Sequence, residues 1–278
     1  MRGAETAIDA PPPPGARIER RRRIGWSEVS LVLLPVLALV AILAVWQLAV
    51  VALDVEPIIL PRPTEVAQSL ADNASVLSSA TWVTLGETLA GFGAAIAIGI
   101  PLAVVMMYSR GLRLTLYPLL VVAQSIPKVA IAPIVLIWLG YGFEPKVVIA
   151  FLVAFFPVLI GSATGLRVIE PDLVHLTRSL RASEWQTFWL VRLPSALPHI
   201  FSGLKVAVTL AVIGAVIGEF VGATNGLGYL VLHSASQSNT ELTWAALVCL
   251  GVVGVGLFGL VALAERLLVP WADREPAE

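Results

Sequence analysis

Three charged side chains interrupt the long apolar runs of the sequence: Glu87, Lys128 and Glu219. A charge inside a bilayer costs on the order of 3 kcal/mol or more, so such residues face a cavity or a polar partner. Lys128 is the one cation of the three, and two roles are open for it. Either it lines a polar path and favours a negatively charged solute, or it forms a structural ion pair with Glu87 or Glu219.

The other residue types that carry chemistry are scattered. The chain has one cysteine, Cys249, and its three histidines, His175, His199 and His233, do not have the spacing of a zinc site. It contains no Gly-x-x-x-x-Gly-Lys-Ser/Thr phosphate loop, so it cannot bind ATP in that way. We therefore predict no catalytic residue, no metal site, no cofactor and no internal disulfide.

Long apolar segments must position these side chains. Hydrophobic residues make up 58% of the 278 and charged residues 13%, against about half and a quarter in soluble domains. A bilayer core takes roughly 20 apolar residues per helix. The runs of this length predict an all-α, polytopic membrane protein with about six spans, at residues 30–53, 82–108, 114–139, 146–167, 199–221 and 243–265. Pro127 and Pro133 predict a broken helix in the third span.

Basic residues predict the orientation of these spans. If the N-terminus is cytoplasmic, all 18 lysines and arginines fall inside except Arg62 and Lys146, which are outside, and Lys128, which is within a span. The N-terminus and the C-terminus are then both cytoplasmic. The predicted boundaries are a disordered N-tail at 1–28, a transmembrane domain at 29–268 with a cytoplasmic loop at 168–198, and a C-tail at 269–278.

Two local patterns predict packing and capping. Small residues repeat every four positions at Gly91, Ala95 and Gly99 and again at Gly214, Gly218 and Gly222. This spacing favours close contacts between helices in lipid. Between the first two spans, a short helical pattern follows Pro61-Arg-Pro-Thr64, and Thr64 is the expected N-cap.

The segment from Glu170 to Ile200 is too polar to span and too long for a simple turn. Its apolar residues recur at helical spacing, at Leu173, Leu176, Leu180, Trp185, Phe188 and Trp189. The pattern predicts short amphipathic helices on the cytoplasmic face. Their apolar side is suited either to a partner protein or to the lipid surface, and the residues alone do not distinguish between these two.

This segment resembles the coupling loop of binding-protein-dependent ABC transporter permeases. The family signature is Glu-Ala-Ala, three residues, Gly, nine residues, Ile, one residue and Leu-Pro. Val191 stands at the Ile position and Leu193-Pro194 at the Leu-Pro position, whereas His175-Leu176-Thr177 replaces Glu-Ala-Ala. Arg181 replaces the glycine, and this excludes an unstrained left-handed backbone there.

Further motifs extend the resemblance over about residues 55–265. Ser179-Leu-Arg-Ala-Ser183 is similar to the Ser-Leu-Gly-Ala-Ser of the nitrate, sulfonate and taurine branch. The other motifs similar to this branch are Pro61-Arg-Pro-Thr64, Thr84-Leu85 with Gly91-Phe92, Gln124 to Pro133 with Trp138-Leu-Gly140, and Glu219 with Gly226-Leu-Gly-Tyr229. Together, in this order, they indicate a permease of that branch.

The resemblance implies the fold of a type I ABC importer permease in the bacterial plasma (inner) membrane. It implies a second permease copy as a homodimer, two copies of an ABC ATPase and an extracytoplasmic solute-binding protein, besides membrane lipid and no nucleic acid. The implied ATPase-coupling residues are Ser179, Leu180, Arg181, Ala182, Ser183, Trp185, Val191, Leu193 and Pro194. The expected pathway residues are Gln124, Ser125, Lys128 and Glu219, with Glu219 at the outer gate.

The implied solute is a small organic anion or a related compound of the nitrate, sulfonate, taurine and pyrimidine-precursor class, and the sequence does not choose among these. Two other functions are less consistent with the sequence. A membrane enzyme would need a catalytic constellation inside the membrane, such as HExxH, a Ser/His pair or paired carboxylates, and the predicted spans contain none of these. A secondary transporter predicts an inverted repeat, and none is visible.

Overall fold

The computed structural model describes residues 26–168, 173, 176–177 and 179–271. Its regular elements are α1 (Trp26–Ala52), α2 (Pro63–Asp72), α3 (Ala74–Tyr108), α4 (Arg110–Gln124), α5 (Lys128–Leu139), α6 (Glu144–Gly165), α7 (Glu184–Thr187), a π-helical segment (Phe188–Arg192), α8 (Leu193–Gly222), α9 (Leu227–Ser236) and α10 (Thr240–Leu268). The all-α class is confirmed. Most of the predicted tails and part of the predicted loop lie outside the described residues.

The chain divides after Ala49 into two compact units. The first unit contains α1 up to that residue. The second begins at Val50 and contains α2 to α10 and every site described below.

Five of the described helices are long and apolar enough to cross a membrane: α1, α3, α6, α10 and the helix from Glu184 to Gly222. The pair α4 and α5 makes a sixth span if the two are counted together. Each predicted span overlaps one of these helices or this pair. The ends agree within a few residues, except that α3 begins eight residues before the second predicted span and the helix from Glu184 begins 15 residues before the fifth. The prediction of a polytopic membrane protein with about six spans is therefore confirmed.

The third span is broken, as its prolines predict. α4 and α5 meet at 95°, and Pro127 is the N-cap of α5. The residue before a proline is driven out of the helical region, which ends α4. Pro133 lies inside α5 without ending it, so the break belongs to Pro127 alone.

Small residues bring α3 and α8 against α6. A Cβ atom placed on Gly91 would lie 2.5 Å from Ala150 Cβ, and one placed on Gly214 would lie 2.6 Å from Ala150 Cα. Neither glycine has room for a side chain, and Ala150 is fully buried. The small-residue repeats therefore mark the helix contacts that they predict.

α2 begins earlier than the sequence suggested. Its N-cap is Arg62, and the Arg62 N–H donates to Glu65 Oε2 at 2.7 Å. Proline at the first helical position has a preset backbone angle, so the helix starts at Pro63. The prediction of Thr64 as the N-cap was wrong.

Candidate functional site

The 168–198 segment enters α8 through a capped helix start. Ser183 is the N-cap of α7, because its Oγ accepts from Gln186 N at 3.2 Å while Ser183 N donates to Gln186 Oε1 at 2.8 Å. This reciprocal capping box fixes the point where the chain turns into a helix. From Glu184 the helix continues for 39 residues to Gly222. The end of the segment is therefore joined rigidly to α8.

Arg181 adopts the left-handed conformation that glycine at this signature position would allow, with a φ of 53°. Ala182 N donates to Thr177 O at 3.0 Å, which is the six-to-one bond that closes a helix in a Schellman motif. A side chain in this conformation costs roughly 1–2 kcal/mol. The turn geometry is therefore retained in spite of the arginine.

The aromatic residues of the segment divide between two sides. Phe188 is buried, and its ring centroid lies 6.3 Å from that of Tyr108 on α3. Trp185 and Trp189 are exposed and meet edge to face at 5.5 Å. Phe188 therefore anchors the segment to the bundle. The two tryptophans are exposed apolar side chains of the segment, as is Leu180, which is 73% exposed.

Prolines widen the helix at the start of α8. Leu193 N donates to Phe188 O, an i to i+5 bond, because the ring of Pro194 crowds the carbonyl four residues before it. Pro198 has no N–H for the carbonyl of Pro194, and Trp271 Nε1 donates to that carbonyl at 3.3 Å. The distortion therefore falls at the Leu-Pro of the signature.

The structure places the predicted coupling residues on one continuous stretch. Ser179, Leu180, Arg181, Ser183 and Trp185 are exposed, whereas Ala182, Val191, Leu193 and Pro194 are half-buried. His175 and Arg178 lie outside the described residues.

The end of α8 that is remote from this segment holds a buried hydrogen-bond network. Thr84 Oγ1 donates to Glu219 Oε1 at 2.6 Å and accepts from Leu227 N at 2.8 Å. Gly228 N donates to Glu219 Oε2. Thr84 and Glu219 thus cap the N-terminus of α9 from two other helices, and a carboxylate there also complements the helix dipole.

Two glycines leave space for the Glu219 carboxylate. A Cβ atom on Gly226, whose φ is 115°, or on Gly228 would collide with that carboxylate. The Gly-Leu-Gly motif is therefore required both for backbone conformation and for close approach.

Lys146, rather than Lys128, pairs with a buried glutamate. Lys146 Nζ donates to Glu87 Oε1 at 2.8 Å, and both side chains are buried. The alternative of a Lys128 ion pair with Glu87 or Glu219 was wrong, because Lys146 is the partner of Glu87. Lys146 stands in the first turn of α6, where its side chain reaches α3.

Lys128 instead completes the end of α4. Its Nζ donates to Gln124 O at 2.7 Å and lies 5.0 Å from the centroid of the Phe156 ring. In an unbroken helix Lys128 N would bond to this carbonyl, so the side chain replaces the bond lost at the break. Ser125 is exposed at the bend, next to Gln124.

Gln124 borders a cavity of about 380 Å³ between α4, α6 and α8. The cavity, called here the Gln124 cavity, is lined by Gln124, Phe156, Pro157, Ile160, Gly161, Thr164, His199, Ser202, Gly203 and Val206. Of the four predicted pathway residues, only Gln124 lines it. Lys128 contacts one of its walls through Phe156, and Glu219 is buried in the network at α9.

This architecture and the 168–198 segment define a multi-pass membrane permease. Residues 95–271 match the family described as binding-protein-dependent transport system inner membrane component. The chain belongs to this family, whose members are transport proteins of the inner membrane and not enzymes.

Relatives of known name support the same branch. The chain is 31% identical to the formylaminopyrimidine transport permease protein ThiX of Halalkalibacterium halodurans, over 87% of this chain and 96% of that one. It is 29% identical to the taurine transport system permease protein TauC of Escherichia coli, over 91% of this chain and 94% of that one.

Solved structures share the fold. An inward-facing structure of the MetNI methionine ABC transporter aligns with a TM-score of 0.60 at 23% identity. The alignment covers 72% of this chain and 97% of the other. The fold of an ABC importer permease is therefore confirmed.

Proposed function

We propose that this chain forms the solute pathway of an ABC importer and couples it to ATP hydrolysis by a separate ATPase subunit. Two ATPase copies dock on the coupling segment, residues 168–198, of two permease copies that form a homodimer. A solute-binding protein delivers the solute from outside. The observation that carries this proposal is the exposure of three apolar side chains, Leu180, Trp185 and Trp189. They lie close in the sequence to the signature residues Leu193 and Pro194.

The helix from Glu184 to Gly222 supplies the mechanical link. Its first residues belong to the coupling segment and its last turn holds Glu219, which caps α9. A push on the coupling segment by closing ATPases would reach the Glu219 end without an intervening loop. Rigid-body switching between inward- and outward-open states uses such links, and Glu219 with α9 would form the outer gate.

The proposed orientation places both termini and the coupling segment in the cytoplasm. It is supported by the strong excess of lysine and arginine on that side of the predicted spans. The proposed domain boundaries at residues 28 and 268 enclose the predicted spans.

The pathway residues proposed from the sequence are Gln124, Ser125, Lys128 and Glu219. Gln124 borders the Gln124 cavity, and Lys128 lies over the Phe156 ring that forms one of its walls. The solute belongs to the class that spans nitrate, sulfonates, taurine and pyrimidine precursors. ThiX and TauC are named for a formylaminopyrimidine and for taurine, two members of that range.

The coupling assignment is tested by Leu180→Asp. We expect an ABC ATPase to co-purify with the tagged chain from native membranes and to hydrolyse ATP. A charge at an apolar contact is costly to desolvate, so the variant should lower the ATPase recovered per permease by about ten-fold, or about 1.4 kcal/mol.

The matched control is Ile59→Asp, because Ile59 is 71% exposed but lies in the predicted extracytoplasmic segment. It should leave ATPase recovery unchanged. Equal recovery of the ATPase with the Leu180→Asp variant and with the unchanged chain would contradict the coupling role of Leu180.

A further inference from the structure

We propose that the Gln124 cavity is a solute subsite for a flat, uncharged heteroaromatic ring with hydrogen-bonding groups on its rim. This inference rests on the proposed transport function and specifies the chemistry of the solute. It selects one part of the solute range named above and excludes a small inorganic or sulfonate anion as the preferred occupant.

The size and composition of the cavity fit a small organic ligand. Its volume of about 380 Å³ lies within the roughly 300–1,000 Å³ of small-molecule sites. Apolar side chains form much of its wall, and four polar side chains converge on it: Gln124, Thr164, His199 and Ser202. A mostly apolar wall with a few polar groups is the usual composition of such a site.

The four polar side chains are free to bind a ligand. Within the part of the chain that the structure describes, none of them makes a hydrogen bond to another residue. Together they offer an amide, two hydroxyls and an imidazole, and each of these groups can both donate and accept hydrogen bonds. These groups match the ring nitrogens, amino groups and carbonyls on the rim of a heterocycle.

Two glycines of the cavity lining leave room beside the crossing of α6 and α8. A Cβ atom on Gly161 would lie 2.8 Å from Gly203 Cα, and one on Gly203 would lie 2.8 Å from Pro157 O. α6 and α8 therefore touch through their backbones, and no side chain rises from the crossing. Phe156 also lines the cavity, where its ring can stack on a planar ligand.

The charges around the cavity disfavour an anion. The lining contains no lysine and no arginine, and His199 is its one titratable residue. The ammonium of Lys128 does not line the cavity; it donates to Gln124 O and lies 5.0 Å from the centroid of the Phe156 ring. An anion bound among the lining residues would therefore lack the charge-assisted donors that such groups need.

The proposal is tested with cytosine and taurine as probes on the purified full chain in lipid nanodiscs. Saturation-transfer NMR detects weak binding of either probe. We expect saturable binding of cytosine and weaker binding of taurine. Loss of one hydrogen bond from Thr164→Val or from Gln124→Leu should weaken cytosine binding about five-fold.

Thr115→Val is the matched control, because Thr115 is an exposed threonine on α4 that does not line the cavity. It should leave cytosine binding unchanged. The Thr164 and Gln124 variants lie on different helices, so one remains informative if the other does not fold. Tighter binding of taurine, no saturable cytosine signal, or an equal effect of all three substitutions would overturn the proposal.

The outcomes also separate this inference from the importer assignment. Taurine preference together with the expected Leu180→Asp result would overturn the solute class alone. Cytosine binding without any ATPase association would overturn the importer assignment and leave the subsite in place.

Discussion

Arg181 holds a backbone conformation that most side chains disfavour, and its neighbours keep it there. The bond from Ala182 N to Thr177 O closes the helix before it, and Ser183 begins the next one. The turn is therefore set by hydrogen bonds on both sides, while the Cβ atom of Arg181 opposes it.

Arg181→Gly should therefore strengthen this turn. Removal of the Cβ atom relieves the strain of the left-handed conformation, whereas glycine gains conformational freedom when the turn opens. The balance of the two effects should stabilise the turn by about 1 kcal/mol. Amide hydrogen exchange at Ala182 should slow by about five-fold. Arg181→Ala, which keeps the Cβ atom, is the control and should not slow it; equal exchange in both variants would contradict the strain.

Contacts between residues that are distant in the sequence could not be predicted from it. Glu87 was recognised as a buried charge, but its partner Lys146 is 59 positions away, and Thr84 meets Leu227 across 143 positions. Hydrophobic periodicity reports which face of a helix is buried and carries no information on such distant pairs. The Gln124 cavity was missed for the same reason, since Thr164 and His199 come together only after α6 and α8 pack.

At the scale of elements, α9 depends on two other helices for its N-terminus. Its first N–H groups are bonded by Thr84 of α3 and Glu219 of α8. A helix of ten residues gains little stability by itself. The cap therefore joins α3, α8 and α9 at the proposed outer gate.

Thr84→Val should loosen this junction. Valine has the same shape but leaves Leu227 N and Glu219 Oε1 without their partner, at a cost of about 2 kcal/mol for buried groups. We expect a lower midpoint of thermal unfolding in detergent and impaired solute uptake.

Thr88→Val is a matched control one turn along α3. Thr88 is also fully buried, but its Oγ1 has no hydrogen-bond partner, so valine should be neutral or slightly stabilising. An equal loss of stability in both variants would show that the Thr84 hydrogen bonds do not hold the junction.

The helices themselves could be predicted well because the bilayer sets their length. Runs of about 20 apolar residues leave few alternatives, and Pro127 marked the break in the third span. The N-cap of α2 is Arg62, two residues before the predicted Thr64, because Pro63 favours the first helical position. The pattern of apolar residues and prolines does not give geometry that depends on contact between helices, such as the 95° bend.

At the scale of the whole molecule, transport requires that the coupling segment and the outer gate face opposite compartments. The helix from Glu184 to Gly222 connects them through 39 residues, more than the roughly 20 that a bilayer core needs. The two ends can therefore stand on opposite sides of the membrane. The lysine and arginine distribution predicts which side each end occupies.

Cysteine labelling tests this orientation on a clean background, because Cys249 is the only cysteine of the chain. In a Cys249→Ser background, we place a cysteine at Ile59 or at Leu190, which are 71% and 75% exposed. Their similar exposure means that a difference in labelling reports the side of the membrane. With the coupling segment cytoplasmic, a membrane-impermeant maleimide should label the Ile59→Cys variant in intact cells and the Leu190→Cys variant only after permeabilisation. The reverse pattern would place the coupling segment outside, away from any ATPase, and would overturn both the orientation and the coupling mechanism.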